Sequence, residues 1–143
     1  MGRRRENGFT LVELMVVLVI IGLAASAVVL AMPELGGSVE AEAERFAARA
    51  KAARDSAIVE ARPVALRVDG AGYVVARRSG GEWQEASRHE WADGTQADVR
   101  GTLAGGTRFD STGLAEPLRL TLQRRGREVA VDIGQDGAVH VRR

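Results

Sequence analysis

The sequence contains no cysteine and only one lysine, Lys51, among its 20 basic residues; histidine occurs twice, and aromatic residues make up 4% of the 143 positions. Without thiols there are no disulfides, no thiolate metal sites and no lipid attachment through cysteine. His89 and His140 stand alone, with no His-Glu-x-x-His or other paired-histidine spacing, so a histidine-based metal enzyme is not expected. Lys51 follows Ala50, which rules out a Walker loop, and no Gly-x-Ser-x-Gly elbow is present. Asp132 and Asp136 flank a turn, which reads as a solvated turn and not as a calcium loop. No cofactor is implied, and an enzyme is not expected. The scarcity of lysine beside heavy use of Ala, Gly, Val and Arg is what GC-rich coding produces, so arginine clusters carry less information here than elsewhere.

What is present divides the chain unevenly. Its length suits one small domain plus one unusual segment. The formal charge is +1, yet Arg3, Arg4 and Arg5 all precede the apolar run; without residues 1–8 the balance is 17 basic against 18 acidic residues. Global attraction to nucleic acid is therefore not implied for the body of the chain.

Phe9 to Met32 is a 24-residue apolar run whose only charge is Glu13. As a helix it would measure about 36 Å, enough for a hydrocarbon core of roughly 30 Å. The preceding arginines place its start in the cytoplasm and send the remainder outward. A secretory signal fits poorly, because the run is too long and no Ala-x-Ala site precedes Met32-Pro33-Glu34. Glu13 is the anomaly. A carboxylate at mid-span costs on the order of 2.5–3.5 kcal/mol, less near an interface, and such residues are functional by default.

Gly8-Phe9-Thr10-Leu11-Val12-Glu13, behind a short basic leader and ahead of a long apolar helix, resembles the class III signal of type IV pilins and pseudopilins. The resemblance implies cleavage between Gly8 and Phe9 by a prepilin peptidase and methylation of the new Phe9 amine. It also implies assembly roles for Glu13 and Thr10, with Glu13 as counter-charge to that amine during filament docking. The missing side chain at Gly8 suits close approach of a protease to the backbone.

Pro33-Glu34-Leu35-Gly36-Gly37 should interrupt the helix, after which Ser38 can cap a second one. Val39, Ala43, Phe46, Ala50, Ala53 and Ala57 form one apolar stripe at helical spacing. Beyond Pro63 the period becomes two. Val64–Val68 and Tyr73–Arg77 read as a hairpin, and Leu118–Gln123, Glu128–Ile133 and Ala138–Val141 as a meander. Residues 79–96 read as a loop or short edge strands, in which Trp83 and Trp91 serve either packing or a partner-contact patch. The expected architecture is α+β and type IV pilin-like, a long N-terminal helix, half transmembrane and half amphipathic, packed on an antiparallel sheet. Its divisions are a leader over 1–8, a transmembrane helix over 9–32, a hinge and amphipathic helix over 33–61, and a periplasmic β domain over 62–143.

Phe109-Asp110-Ser111-Thr112-Gly113, with Ala57-Ile58 and Arg62-Pro63-Val64, is similar to the family uniting minor pseudopilin H of type II secretion (GspH) with the minor pilin FimT. The resemblance implies a minor pseudopilin near the tip of a periplasmic pseudopilus, anchored in the inner membrane and helping to initiate filament assembly for export of folded proteins. The implied partners are the prepilin peptidase, other minor and major pseudopilins, the inner-membrane assembly platform and membrane lipid. FimT-type pilins acting in pilus priming or DNA uptake are the alternative, with Arg127, Arg142 and Arg143 as DNA contacts among six arginines in residues 119–143. The glycine-arginine-x-arginine pattern of those proteins is absent, so a solvated strand is the preferred reading of these arginines.

Overall fold

The first helix, α1 (Leu11–Ala31), opens at Thr10, whose hydroxyl accepts a hydrogen bond from the Glu13 amide at 3.3 Å. That bond occupies one of the donors left free at a helix start. The computed structural model describes residues 10–31 and 37–143, with the side chains of α1 described through Ser26. Those side chains are exposed, and they are apolar all round apart from Glu13 and Ser26. Among the described residues no helix is long and apolar enough to cross a membrane, the described side chains of α1 ending at Ser26. Gly8, Phe9 and most of the expected hinge after Met32 lie outside the described residues.

Residues 37–143 belong to a second compact unit. Its helix, α2 (Val39–Val59), begins where the sequence suggests. Ser38 adopts an extended conformation and its hydroxyl accepts from the Ala41 amide at 3.2 Å. Every residue of the anticipated apolar stripe is buried, and Glu42 and Ala47 are buried with them. Alanine dominates this face, so the helix can lie close to whatever it covers.

What it covers is two sheets. The strands are β1 (Val64–Val68), β2 (Gly72–Ser79), β3 (Glu82–Glu90), β4 (Gln96–Gly101), β5 (Gly106–Phe109), β6 (Leu118–Arg124), β7 (Arg127–Ile133) and β8 (Val139–Arg142). One antiparallel sheet has the order β3-β2-β1-β5 and the other β4-β6-β7-β8. The α2 helix touches β1 and β5 of the first and β6, β7 and β8 of the second. One shared core results, in which Phe46, Leu66, Phe109, Leu120, Leu122 and Val131 are fully buried. Each such side chain contributes roughly 1.5–3 kcal/mol by burial. Phe46 meets Tyr73 edge-on at 5.2 Å, with Trp91 at 6.1 Å, a geometry that aromatic quadrupoles favour.

The stretch between residues 79 and 96 differs from expectation in extent. It holds β3, a nine-residue edge strand, and the register of β3 on β2 shifts between Val75 and Ala76. The division into two sheets is likewise more than the expected single sheet. The two tryptophans part company. Trp91 is 7% exposed and its indole donates to the Asp69 carbonyl at 3.0 Å, whereas Trp83 is half-buried on β3.

Candidate functional site

Three places bear on function: the start of α1, the C-terminal arginines, and the loop at residues 109–113. At the start of α1, Thr10 and Glu13 share one helical turn. The Glu13 carboxylate lies in the first turn, where the positive end of the helix dipole favours an anion. Among the described residues it makes no ion pair, so it remains available to a charge from outside.

The C-terminal arginines face carboxylates and carbonyls of their own chain. Asp132 accepts from Arg119 at 2.5 and 3.2 Å and from Arg142 at 2.8 Å. Its carboxyl is held below the usual range, first by the Arg119 hydrogen bond and then by the charges of Arg119 and Arg142. Arg143 reaches Glu44 at 3.4 Å, Arg127 reaches Glu40 at 3.8 Å, and Arg124 donates to the Gly37 carbonyl. Three of these contacts thus run from the second sheet to α2 or the turn before it. As exposed pairs, Arg143–Glu44 and Arg127–Glu40 are worth at most about 1 kcal/mol each. Arg125 and Gly126 both have positive φ, the pairing that a two-residue type I′ hairpin turn requires. Asp136 accepts from the Ala138 amide at 3.0 Å, so it organises its turn.

The third place is built on Asp110. Its Oδ1 accepts from the Thr112 amide at 2.8 Å, the Thr112 hydroxyl at 2.7 Å and the Leu114 amide at 3.1 Å. These bonds, the Thr112 hydroxyl foremost, hold the Asp110 carboxyl below its ordinary value. The loop presents the Gly113 carbonyl to Arg54 of α2, whose Nε donates at 3.1 Å and whose Nη2 reaches the Asp136 carbonyl at 3.4 Å. Space for the guanidinium depends on Gly113 and Gly137. A Cβ at Gly137 would lie 2.1 Å from the Gly113 carbonyl oxygen and 2.6 Å from Arg54 Nε, and one at Gly113 would lie 2.7 Å from Ile58. A single arginine on α2 therefore fastens two loops.

Residues 42–137, which contain most of this helix, strands β1 to β7 and the loop at 109–113, match the family described as Type II transport protein GspH. The chain belongs to the GspH family. Residues 3–29 match the prokaryotic N-terminal methylation motif. This GspH chain is 30% identical over 160 aligned residues to type II secretion system protein H of Pseudomonas aeruginosa, covering 94% of this chain and 93% of that one. It is 34% identical over 88 residues to the protein of that name in Aeromonas hydrophila, covering 59% of this chain and about half, 48%, of the relative. The minor pseudopilin EpsH of Vibrio cholerae shares its fold, with a TM-score of 0.66, 18% identity, and coverage of 74% of this chain and 97% of that one. So does the type IV minor pilin FimU of Pseudomonas aeruginosa, with a TM-score of 0.61, 15% identity, and coverage of 73% and 88%.

Two contacts that fasten α2 to the rest of the domain escape the sequence of this GspH protein. Arg54 lies off the apolar stripe and looks like any solvated helix charge. Glu42 is 1% exposed and meets His89 Nε2 at 2.9 Å, joining α2 to the edge strand β3. The only hint would have been a glutamate directly beside Ala43 on the buried face.

Proposed function

We propose that the chain is a minor pseudopilin of a type II secretion system, working near the tip of the periplasmic pseudopilus and helping to start its assembly. Membership of the GspH family, extended N-terminally by the methylation motif over residues 3–29, carries this reading. The protein is inner-membrane anchored through residues 9–32, with residues 1–8 as a cytoplasmic leader and the β domain in the periplasm. A prepilin peptidase cuts between Gly8 and Phe9 and methylates the Phe9 amine.

Assembly then turns on electrostatics. The new amine and the Glu13 carboxylate are each poorly solvated at the membrane, and pairing them between subunits removes a cost that each bears alone. Thr10 holds the turn that presents Glu13. The work is structural, not catalytic: extension of a filament of related pseudopilins, driven from an inner-membrane platform, pushes folded proteins outward. For the DNA-uptake reading, Arg127, Arg142 and Arg143 would have to give up Glu40, Asp132 and Glu44, which weighs against phosphate binding by these residues. Mass spectrometry of the membrane-extracted protein should find N-methylated Phe9 as the first residue. Met1 still present in the mature protein would overturn the reading.

A further inference from the structure

The outer face of the first sheet, turned away from α2, carries a groove of about 540 Å³. Strand register explains its shape. Arg67 of β1 stands opposite Val74 of β2 on one side and Gly106 of β5 on the other. No side chain is possible at Gly106, because a Cβ there would lie 2.1 Å from the Leu66 carbonyl oxygen. The close approach of β5 to β1 thus forces a notch beside the Arg67 guanidinium. Trp83 of β3 and Leu103, which is 40% exposed, provide apolar walls.

The charges of the groove are unevenly satisfied. Arg88 is paired with Glu85 at 2.7 Å and Arg108 with Glu116 at 2.7 Å. Among the described residues Arg67 takes part in no ion pair or side-chain hydrogen bond, and it is exposed. Asp69, which also lines the groove, directs Oδ1 to the amides of Ala71 and Gly72 at 2.8 and 2.9 Å. One guanidinium fork is therefore left open between an aromatic wall and a bare floor. A planar fork of this kind recognises a carboxylate through two parallel bonds. An aromatic ring beside it suits an aliphatic or aromatic side chain, and Trp and Arg are the residues on which docking energy usually concentrates.

We propose that this groove docks an acidic, extended segment of a partner protein, with a carboxylate on Arg67 and an apolar side chain against Trp83 and Leu103. The inference stands independently of the secretion reading, since it rests on the groove alone. The test uses the full chain in phosphatidylcholine nanodiscs and two fluorescent peptides, acetyl-Glu-Leu-Asp-Phe-Glu-amide and its counterpart with lysine at the three acidic positions, followed by anisotropy. The acidic peptide should bind saturably and the lysine peptide should not. Arg67→Glu should weaken binding at least tenfold and Trp83→Ala several-fold, while Arg62→Glu, an exposed arginine outside the groove, should change nothing; circular dichroism checks that each variant is folded.

Equal binding of the two peptides, no saturable binding, or indifference to Arg67→Glu would overturn the proposal. So would a change of oligomeric state on Arg67→Glu in sedimentation, which would make the occupant a second copy of the chain. Arg67-dependent binding to phosphatidylglycerol vesicles without peptide binding would make it a lipid surface and overturn the proposal as well. Failure in any of these ways leaves processing at Gly8 and protein export untouched, so the two readings fail separately.

Discussion

Arg54 and Glu42 show how much of the molecule depends on single polar side chains. Arg54→Ala removes both bonds that α2 makes to the 109–113 and 134–137 loops and leaves two carbonyls short of a donor. In urea titrations of the chain in detergent it should cost about 1–3 kcal/mol. Glu42 is buried with one carboxylate oxygen, Oε2, lacking a partner, and His89 is the hydrogen-bond partner of the other. His89→Ala should therefore destabilise by about 1–3 kcal/mol, because it strands a buried polar group. Glu42→Leu should be close to neutral or stabilising, since an apolar side chain of similar size needs no partner. Glu13 stands out in the sequence because a carboxylate in an apolar run is costly in a membrane span. Arg54 does not, because nothing local distinguishes an arginine that reaches across 59 and 82 positions from one that faces water.

At the scale of elements, legibility follows burial. The α2 stripe and strands β1, β2, β6, β7 and β8 were readable because each buries one face and so alternates or repeats. Strands β3 and β4 have no residue fully buried; β4 alternates, but only through the half-buried Ala97 and Val99, and β3 carries mostly polar side chains on both faces, so the apolar signal of each is weak. Strand β5 is four residues long and begins with glycine. Nothing in the alternation says which of two sheets a strand joins, so the division had to come from the structure. The turns carry an acid sensitivity. Asp110 and Asp132 both have folded pKa values lowered below the ordinary value of about 3.9. Their stabilising contribution is complete above that value and is lost as pH falls from it through the lower folded values. Thermal unfolding between pH 2 and 6 should show the melting temperature falling below about pH 4. The fall should be shallower in Asp110→Asn/Asp132→Asn.

At the scale of the whole molecule, the chain joins a helix with a carboxylate in its first turn to a two-sheet domain built on a second helix. On the proposed reading, one end joins a filament in the membrane and the other offers surfaces to neighbours. Gly8→Ala should leave the leader in place, whereas Glu13→Ala should be processed but fail to enter the filament, read as loss from sheared pseudopili in immunoblots. Arg127, Arg142 and Arg143 lie beside Glu40, Asp132 and Glu44 of their own chain, which lowers the local positive charge that this surface offers to DNA. The most direct measurement is export: the amount of a type II substrate reaching the medium from cells of the native host lacking this chain, complemented with wild type, Gly8→Ala or Glu13→Ala. Export should stop in the deletion, return with wild type and remain absent with either variant. Undiminished export in the deletion, accompanied by loss of DNA uptake, would contradict assignment to secretion and make the protein a pilin of the uptake machinery.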